Sequence, residues 1–240
     1  IMTITVAIPY YNSRKYLEQA VELLLESDFV SEIVVHDDCS TDEIYSHHPK
    51  IKIYRNETNL GAFKNKYLAV SKATNEWVYL LDSDNYFFEN SLDIIKNIST
   101  QRGRYYSPSQ LHLVDDGLDS SLDGRIIKYD FQNIDSNEAK RLLQSDDWEQ
   151  FGWLINTGNF FVHRDDYIEA MKDVFEDSTY PYFEADAVVF CYNWLKKGNS
   201  IEVVKDLWYN HRLRSNSYSH SVGSKNADSL NYHKNLMAQL

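Results

Sequence analysis

Four short apolar runs in the first hundred residues, each ending in polar residues and set apart by helix-length stretches, constrain this chain to an alternating α/β architecture. The runs are Ile4 to Ile8 (stopped by Pro9), Ile33 to Val35, Ile51 to Tyr54 and Trp77 to Leu81. Between the first two, Arg14 to Glu26 places Leu17, Val21, Leu24 and Leu25 on one helical face, with Ser13 as the expected N-cap. A second helix is predicted from Gly61 to Lys72. Such a pattern predicts a mostly parallel sheet flanked by helices. Ligands of open α/β sheets bind in the crevice outside the carboxyl ends of the strands.

The segments predicted at that edge are Pro9-Tyr10-Tyr11-Asn12, Asp37 to Asp42, Asn56 to Gly61 and Asp82-Ser83-Asp84-Asn85. Taken singly, each is ordinary turn or cap chemistry. Four in succession on one edge predict a polar crevice with several carboxylates. Asp82 and Asp84, one residue apart, offer hard oxygen donors of the kind that hold Mg²⁺ or Mn²⁺ together with substrate phosphates.

After about residue 100 the pattern loosens. Tyr105 to Val114 reads as strand broken near Pro108, Asp115 to Gly124 as a loop, and Asn159 to His163 as a strand. Ala185 to Lys197 reads as a helix closed by Gly198, Ile201 to Val204 and Leu207 to Leu213 as two late strands, and Lys225 to Leu240 as a terminal helix. No linker divides the chain, so a single domain is expected over 1–240, with a regular half to residue 100 and an irregular half from 101.

The formal net charge of −12 argues against a protein that coats nucleic acid. Two cysteines, Cys39 and Cys191, without metal-type spacing, point to a reducing compartment rather than a disulfide framework. No apolar run is long enough to span a bilayer, the N-terminus lacks a signal-peptide pattern, and Met2 reads as the native start. A cytoplasmic chain is expected, with peripheral contact at the inner face of a membrane left open.

Val6 to Asn12, then Glu32 to Asp42, then Asn59-Leu60-Gly61, then Leu80 to Asp84 follow one another as in the family 2 glycosyltransferases of GT-A fold, which the first hundred residues resemble closely and the rest in outline. The resemblance implies that Pro9, Tyr11 and Asn12 wrap the base and ribose of a nucleotide. It implies that Asp38 accepts a hydrogen bond from the base, as the N3–H of uracil would supply. Lys66 stands where the family carries a basic residue near the nucleotide, often Arg, and a Lys there loses the planar two-pronged contact. Asp82, with Ser83 beside it, would face the ribose, and Asp84 would hold a Mn²⁺ or Mg²⁺ that bridges the phosphates. Cys39 stands at a position that is commonly Gly, tolerable if its φ is negative.

The same resemblance assigns the second half to base and acceptor. Inverting members take the acceptor proton with a carboxylate at the start of a helix, and Glu184 and Asp186 precede the helix that Gly198 closes. Asp186 fits the spacing better and is the first candidate, with Glu184 second; a helix N-terminus also favours acids without any catalysis. Asn156, Gly158 and Asn159 resemble the segment lining the sugar pocket. Trp153 offers a ring platform, or else core packing. From Trp208 to Ser217 the chain resembles the family's closing strand and loop, with His211 as a candidate metal ligand and Arg212 and Arg214 as candidate phosphate ligands. Strand alternation puts the two arginines on one face and His211 on the other.

The implied function is metal-dependent inverting transfer of a sugar from a nucleotide-diphosphate sugar, a UDP-sugar, to a hydroxyl of a glycan or glycoconjugate. Two other readings stay open. A nucleotidyltransferase or sugar pyrophosphorylase would need a glycine-rich basic loop after the first strand, which Pro9 to Lys15 is not. A nucleotide-sugar-binding module without catalysis would have no need of acids at both Asp84 and Asp186.

Overall fold

The computed structural model describes residues 2–177, 186–215 and 234–240. The first strands are β1 (Ile4–Tyr10), β2 (Val30–Asp37), β3 (Ile51–Arg55) and β4 (Trp77–Leu80), with α1 (Arg14–Glu26) and α2 (Ala62–Ser71) between them. They lie in the order β3-β2-β1-β4 and pair in parallel throughout. The apolar runs are continuous because both faces are covered. Val6, Ile8, Tyr79 and Leu81 point into a core with Val21 and Leu24 of α1, whereas Ala7, Val78 and Leu80 point to the opposite core with Phe63 and Val70 of α2.

Pro9 does not stop β1. It pairs in register with His36 of β2, while β4 has already ended opposite Ala7 at Leu80. Leu81 N donates to Ala7 O, so the β4-facing side of β1 holds residues 7 and 9, and the missing N–H of Pro9 falls where no strand would receive it.

Beyond β4 come β5 (Tyr86–Phe87), α3 (Ser91–Lys96), β6 (Arg104–Asp116), β7 (Ile126–Lys128), β8 (Asn133–Ile134), α4 (Ser136–Leu143) and α5 (Trp148–Ile155). These are followed by β9 (Phe160–His163), α6 (Arg164–Glu176), α7 (Asp186–Lys196) and β10 (Ser200–Arg214). They extend the same sheet as β4-β9-β6-β10-β5, so one sheet of ten strands runs through the described residues. Here the pairing is mixed: β9 is antiparallel to β4 and β6, and β10 is parallel to β6 but antiparallel to β5 and β8.

Two further boundaries differ from the sequence pattern. Pro108 does not break β6, and the two late strands are one. Pro108 pairs with Val204, and immediately afterwards β10 loops out three residues, Lys205 to Leu207, against Ser109 alone. Asp206 takes φ +62° in this bulge. A proline is accommodated at such an irregularity because an unbroken ladder is not asked of it. Gly198, at φ +82°, closes α7 as expected.

Candidate active site

The polar loops at the carboxyl edge of the parallel strands are tied to one another. Asn12, at φ +46°, accepts from Thr41 N (2.8 Å) and Thr41 Oγ1 (3.1 Å), and its own N–H donates to Ser40 Oγ (2.9 Å). Ser13 does not cap α1 with its side chain; its Oγ lies 2.6 Å from Ser83 Oγ, joining the first loop to the turn after β4. Asp37 pairs with Arg55 and accepts from Ser40 N (2.9 Å), which fixes the second loop.

Asp38 ties the second loop to the third. Its Oδ1 accepts from Asn56 Nδ2 (2.8 Å) and Leu60 N (2.8 Å), and its Oδ2 from Gly61 N (2.9 Å). The residue is 2% exposed. A carboxylate can accept about four hydrogen bonds, so one acceptor position is left on Oδ2. Cys39 beside it has φ +62°, the left-handed region, contrary to the negative φ expected for a side chain replacing Gly. Tyr11 stands exposed at the rim, and Pro9 lies within β1 below it.

Two charged clusters occupy the crevice. In the first, Lys66 Nζ of α2 lies 3.0 Å from Asp82 Oδ1 and 2.7 Å from Asp186 Oδ2, at the first turn of α7. Burial disfavours the charge on Lys66, but the two carboxylates outweigh it and hold the ammonium well above its ordinary pKa. Asn159 fixes Asp82 from the other side: its Oδ1 accepts from Asp82 N (2.8 Å) and its Nδ2 donates to Asp82 Oδ2 (3.2 Å). Gly158 lies against the pair, where a Cβ would stand 2.6 Å from Lys66 Nζ.

The second cluster surrounds Asp84. Arg214 Nε is 2.7 Å from Asp84 Oδ2, and Arg212 donates from Nε to Asp84 O (3.1 Å) and from its backbone to Asn85 Oδ1 (3.0 Å). Burial pushes the Asp84 carboxyl up; Arg214 and, more weakly, His211 pull it down. The alternation along β10 holds: both guanidiniums lie over the ring of Tyr16, at 4.6 Å and 5.1 Å, while His211 stands edge-on to Tyr209.

Other predicted residues are placed differently. Trp153 is half-buried on α5 against the larger core, where a packing role accounts for it. Asn156 is exposed at the end of α5. Glu184 lies outside the described residues. Sequence inspection did not single out Tyr16 and Gln19 of α1. Gln19 Oε1 accepts from Arg212 Nη2 at 2.7 Å, and the Tyr16 hydroxyl donates to Asp116. Their i, i+3 spacing on the polar face of α1 was the available signal.

Among the described residues no three His, Cys, Asp or Glu side chains converge as a metal cage. A divalent ion that bridges a diphosphate needs only one or two protein ligands. Asp84, whose buried carboxylate is balanced by a guanidinium, is a hard oxygen donor of the kind Mn²⁺ takes, and the His211 imidazole acts on it electrostatically.

The sequence model of Glycosyl transferase family 2 matches residues 5–95, the stretch that holds β1 to β4 and the Lys66, Asp82 and Asp84 positions. Poly(ribitol-phosphate) β-N-acetylglucosaminyltransferase TarS of Staphylococcus aureus is 37% identical over 101 residues, covering 38% of this chain and 18% of that protein. The chain thus matches less than a fifth of that relative's length. In three dimensions it is similar to S. aureus TarS 1–349 solved with UDP, with a TM-score of 0.59, 19% identity, and coverage of 99% of this chain and 65% of the other. It is also similar to GalNAc-T7 solved with UDP, GalNAc and Mn²⁺, with a TM-score of 0.62, 16% identity, and coverage of 89% and 44%. Residues 5–95 therefore match the sequence pattern of Glycosyl transferase family 2, and the sheet they open has the GT-A fold.

Proposed function

We propose that this chain transfers a sugar, with inversion, from a UDP-sugar to a hydroxyl of a glycan or glycoconjugate. The observation that carries the reading is the pair of adjacent clusters at one sheet edge, separated in sequence only by Ser83. Asp84, Arg212 and Arg214 supply a site for a diphosphate, and Asp82 and Asp186, bridged by the Lys66 ammonium, supply carboxylates where a sugar and its acceptor would meet. The UDP bound by the similar TarS and GalNAc-T7 structures supports uridine as the base.

In this mechanism the loop of Tyr11 and Asn12 meets the nucleoside, and the remaining acceptor position of Asp38 receives the base N3–H. Asp82 and Ser83 face the ribose, and Gly158 and Asn159 line the sugar side. Asp186 takes the proton of the acceptor hydroxyl as its oxygen bonds to the anomeric carbon, and the bond from that carbon to the diphosphate breaks. Arg212 and Arg214 stabilise the charge that develops on the departing diphosphate. A Mn²⁺ or Mg²⁺ held by Asp84 and His211 would add Lewis-acid stabilisation to the same group.

No helix among the described residues is long and apolar enough to cross a membrane. Cys39 and Cys191 are both free thiols. These features support action in a reducing compartment such as the cytoplasm, where nucleotide sugars serve as donors. Thermal shift with UDP, ADP and GDP, with and without Mn²⁺, tests the nucleotide reading. A larger shift with UDP that grows with Mn²⁺ is expected; equal shifts from the three nucleotides would contradict it.

A further inference from the structure

Lys66 joins two carboxylates that the proposed reaction uses on different substrates. Its Nζ stands 2.7 Å from Asp186 Oδ2 and 3.0 Å from Asp82 Oδ1, and its side chain is 11% exposed. The contact is built rather than incidental. Gly158 leaves room for it, since a Cβ there would lie 2.6 Å from the ammonium and 3.0 Å from Asp82 Oδ2. Asn159 holds Asp82 through both its backbone and its carboxylate. Four segments therefore converge on one cation: α2, the turn after β4, the residues leading into β9, and the first turn of α7.

A buried ammonium between two carboxylates is strongly constrained. Removing the cation leaves two like charges facing each other without compensation, and removing one anion leaves the other paired. Lysine has three N–H donors, and two are engaged here. The resemblance assigns this position to the nucleotide, but the geometry directs its charge at Asp186 and Asp82.

We infer that Lys66 is a positioning residue for the base: its ammonium, set against Gly158, holds the Asp186 carboxylate at the acceptor side of the crevice and couples it to Asp82 on the donor side. This rests on the proposed role of Asp186. Among the described residues, the titratable groups facing Asp186 are Lys66 from α2, Asp82 from the turn after β4 and Tyr167 from α6. Burial keeps the Tyr167 hydroxyl protonated, so Lys66 is the cation that balances the acids.

The experiment is a cycle of Lys66→Met, Asp186→Asn and the double variant, with Lys66→Arg and Gly158→Ala alongside. Two quantities are read: UDP affinity by calorimetry, and UDP release from UDP-sugars over pH. Lys66→Met should lower kcat roughly tenfold or more, with a smaller change in donor KM and UDP Kd that reflects its contact with Asp82, the split expected of a group that acts mainly on the chemical step. The acid limb of its pH profile should move upward, because Asp186 loses its cation. On the Asp186→Asn background, Lys66→Met should cost nothing further. Lys66→Arg should recover part of kcat, and Gly158→Ala, whose Cβ meets the ammonium and Asp82 Oδ2, should lower kcat as Lys66→Met does and raise donor KM besides. Both keep the charge count, so they carry the test if Lys66→Met does not fold.

Loss of UDP affinity with kcat and pH profile unchanged would overturn the inference and return Lys66 to the nucleotide. Losses that multiply in the double variant would overturn it too. A wild-type chain that binds UDP but releases none from any UDP-sugar in the presence of a panel of glycan hydroxyl acceptors would overturn the transferase reading itself, a result distinct from either.

Discussion

Arg214 occupies the carboxylate of Asp84, with Nε 2.7 Å from Oδ2, at the position proposed for the diphosphate and its metal. One cation thus balances the buried acid, and a second cation would compete for it. Arg214→Gln should therefore raise Mn²⁺ affinity measured without nucleotide, by paramagnetic titration, while weakening UDP binding. A charge-assisted contact to a phosphate contributes on the order of 1.5–3 kcal/mol, so UDP affinity should fall roughly ten- to a hundredfold. Parallel weakening of Mn²⁺ and UDP would contradict the exchange.

Tyr16 orders both arginines from below, its ring under each guanidinium and its hydroxyl on Asp116. Tyr16→Leu keeps an apolar filler but removes the π face. A loss of about 0.5–2 kcal/mol in UDP binding is expected, read by calorimetry. Tyr16→Phe should lose less, since the ring remains.

Cys39 sits at φ +62°, where a side chain with a Cβ is strained. Cys39→Gly should stabilise the folded chain by up to about 1 kcal/mol, the left-handed penalty less the greater freedom of Gly when unfolded. Urea unfolding at neutral pH checks this; a destabilised Gly variant would show that the Cys39 Sγ contact with Glu57 O matters more than the backbone.

Glu32 is a buried acid away from the crevice that holds the parallel strands. It accepts from Thr5 Oγ1 (2.6 Å), Lys52 Nζ (2.8 Å) and Thr74 N (2.8 Å). Burial works to raise its pKa, but these donors overcome it and leave it below the ordinary carboxylate value. A lowered pKa contributes stability that is full above the unfolded value and lost as pH falls through the folded one. Glu32→Gln should cost about 1.5–3 kcal/mol at pH 7. The difference from wild type should shrink below about pH 4, read as paired thermal unfolding across pH.

The parallel half was legible because its strands are covered on both faces. Trp77 to Leu81 and Ile4 to Ile8 carry that fact as unbroken apolar runs, and the 13 residues of α1 follow the predicted span. The mixed half was less legible because long-range pairing decides it. Nothing near Lys205 says that three residues loop out while one strand continues, and α5 and α6 begin without a side-chain cap, whereas Asp135 followed by Glu138 at the start of α4 was a legible cap signal. The site shows the same division. Types and spacing pointed to Asp82 and Asp84, and the family resemblance to Asp186 and the two arginines, but neither pointed to the distant partners: Asp186 for Lys66, Asp82 for Asn159 and Asp116 for Tyr16.

The most direct measurement is UDP release from UDP-sugars with Mn²⁺ and a panel of glycan hydroxyl acceptors by wild type and by Asp186→Asn, with UDP affinity measured on both. Wild type should release UDP, and the Asn variant should lose roughly 10²–10⁴-fold in kcat, as for a lost general base, with an unchanged UDP Kd. An Asp186→Asn variant that turns over as fast as wild type would contradict Asp186 as the base.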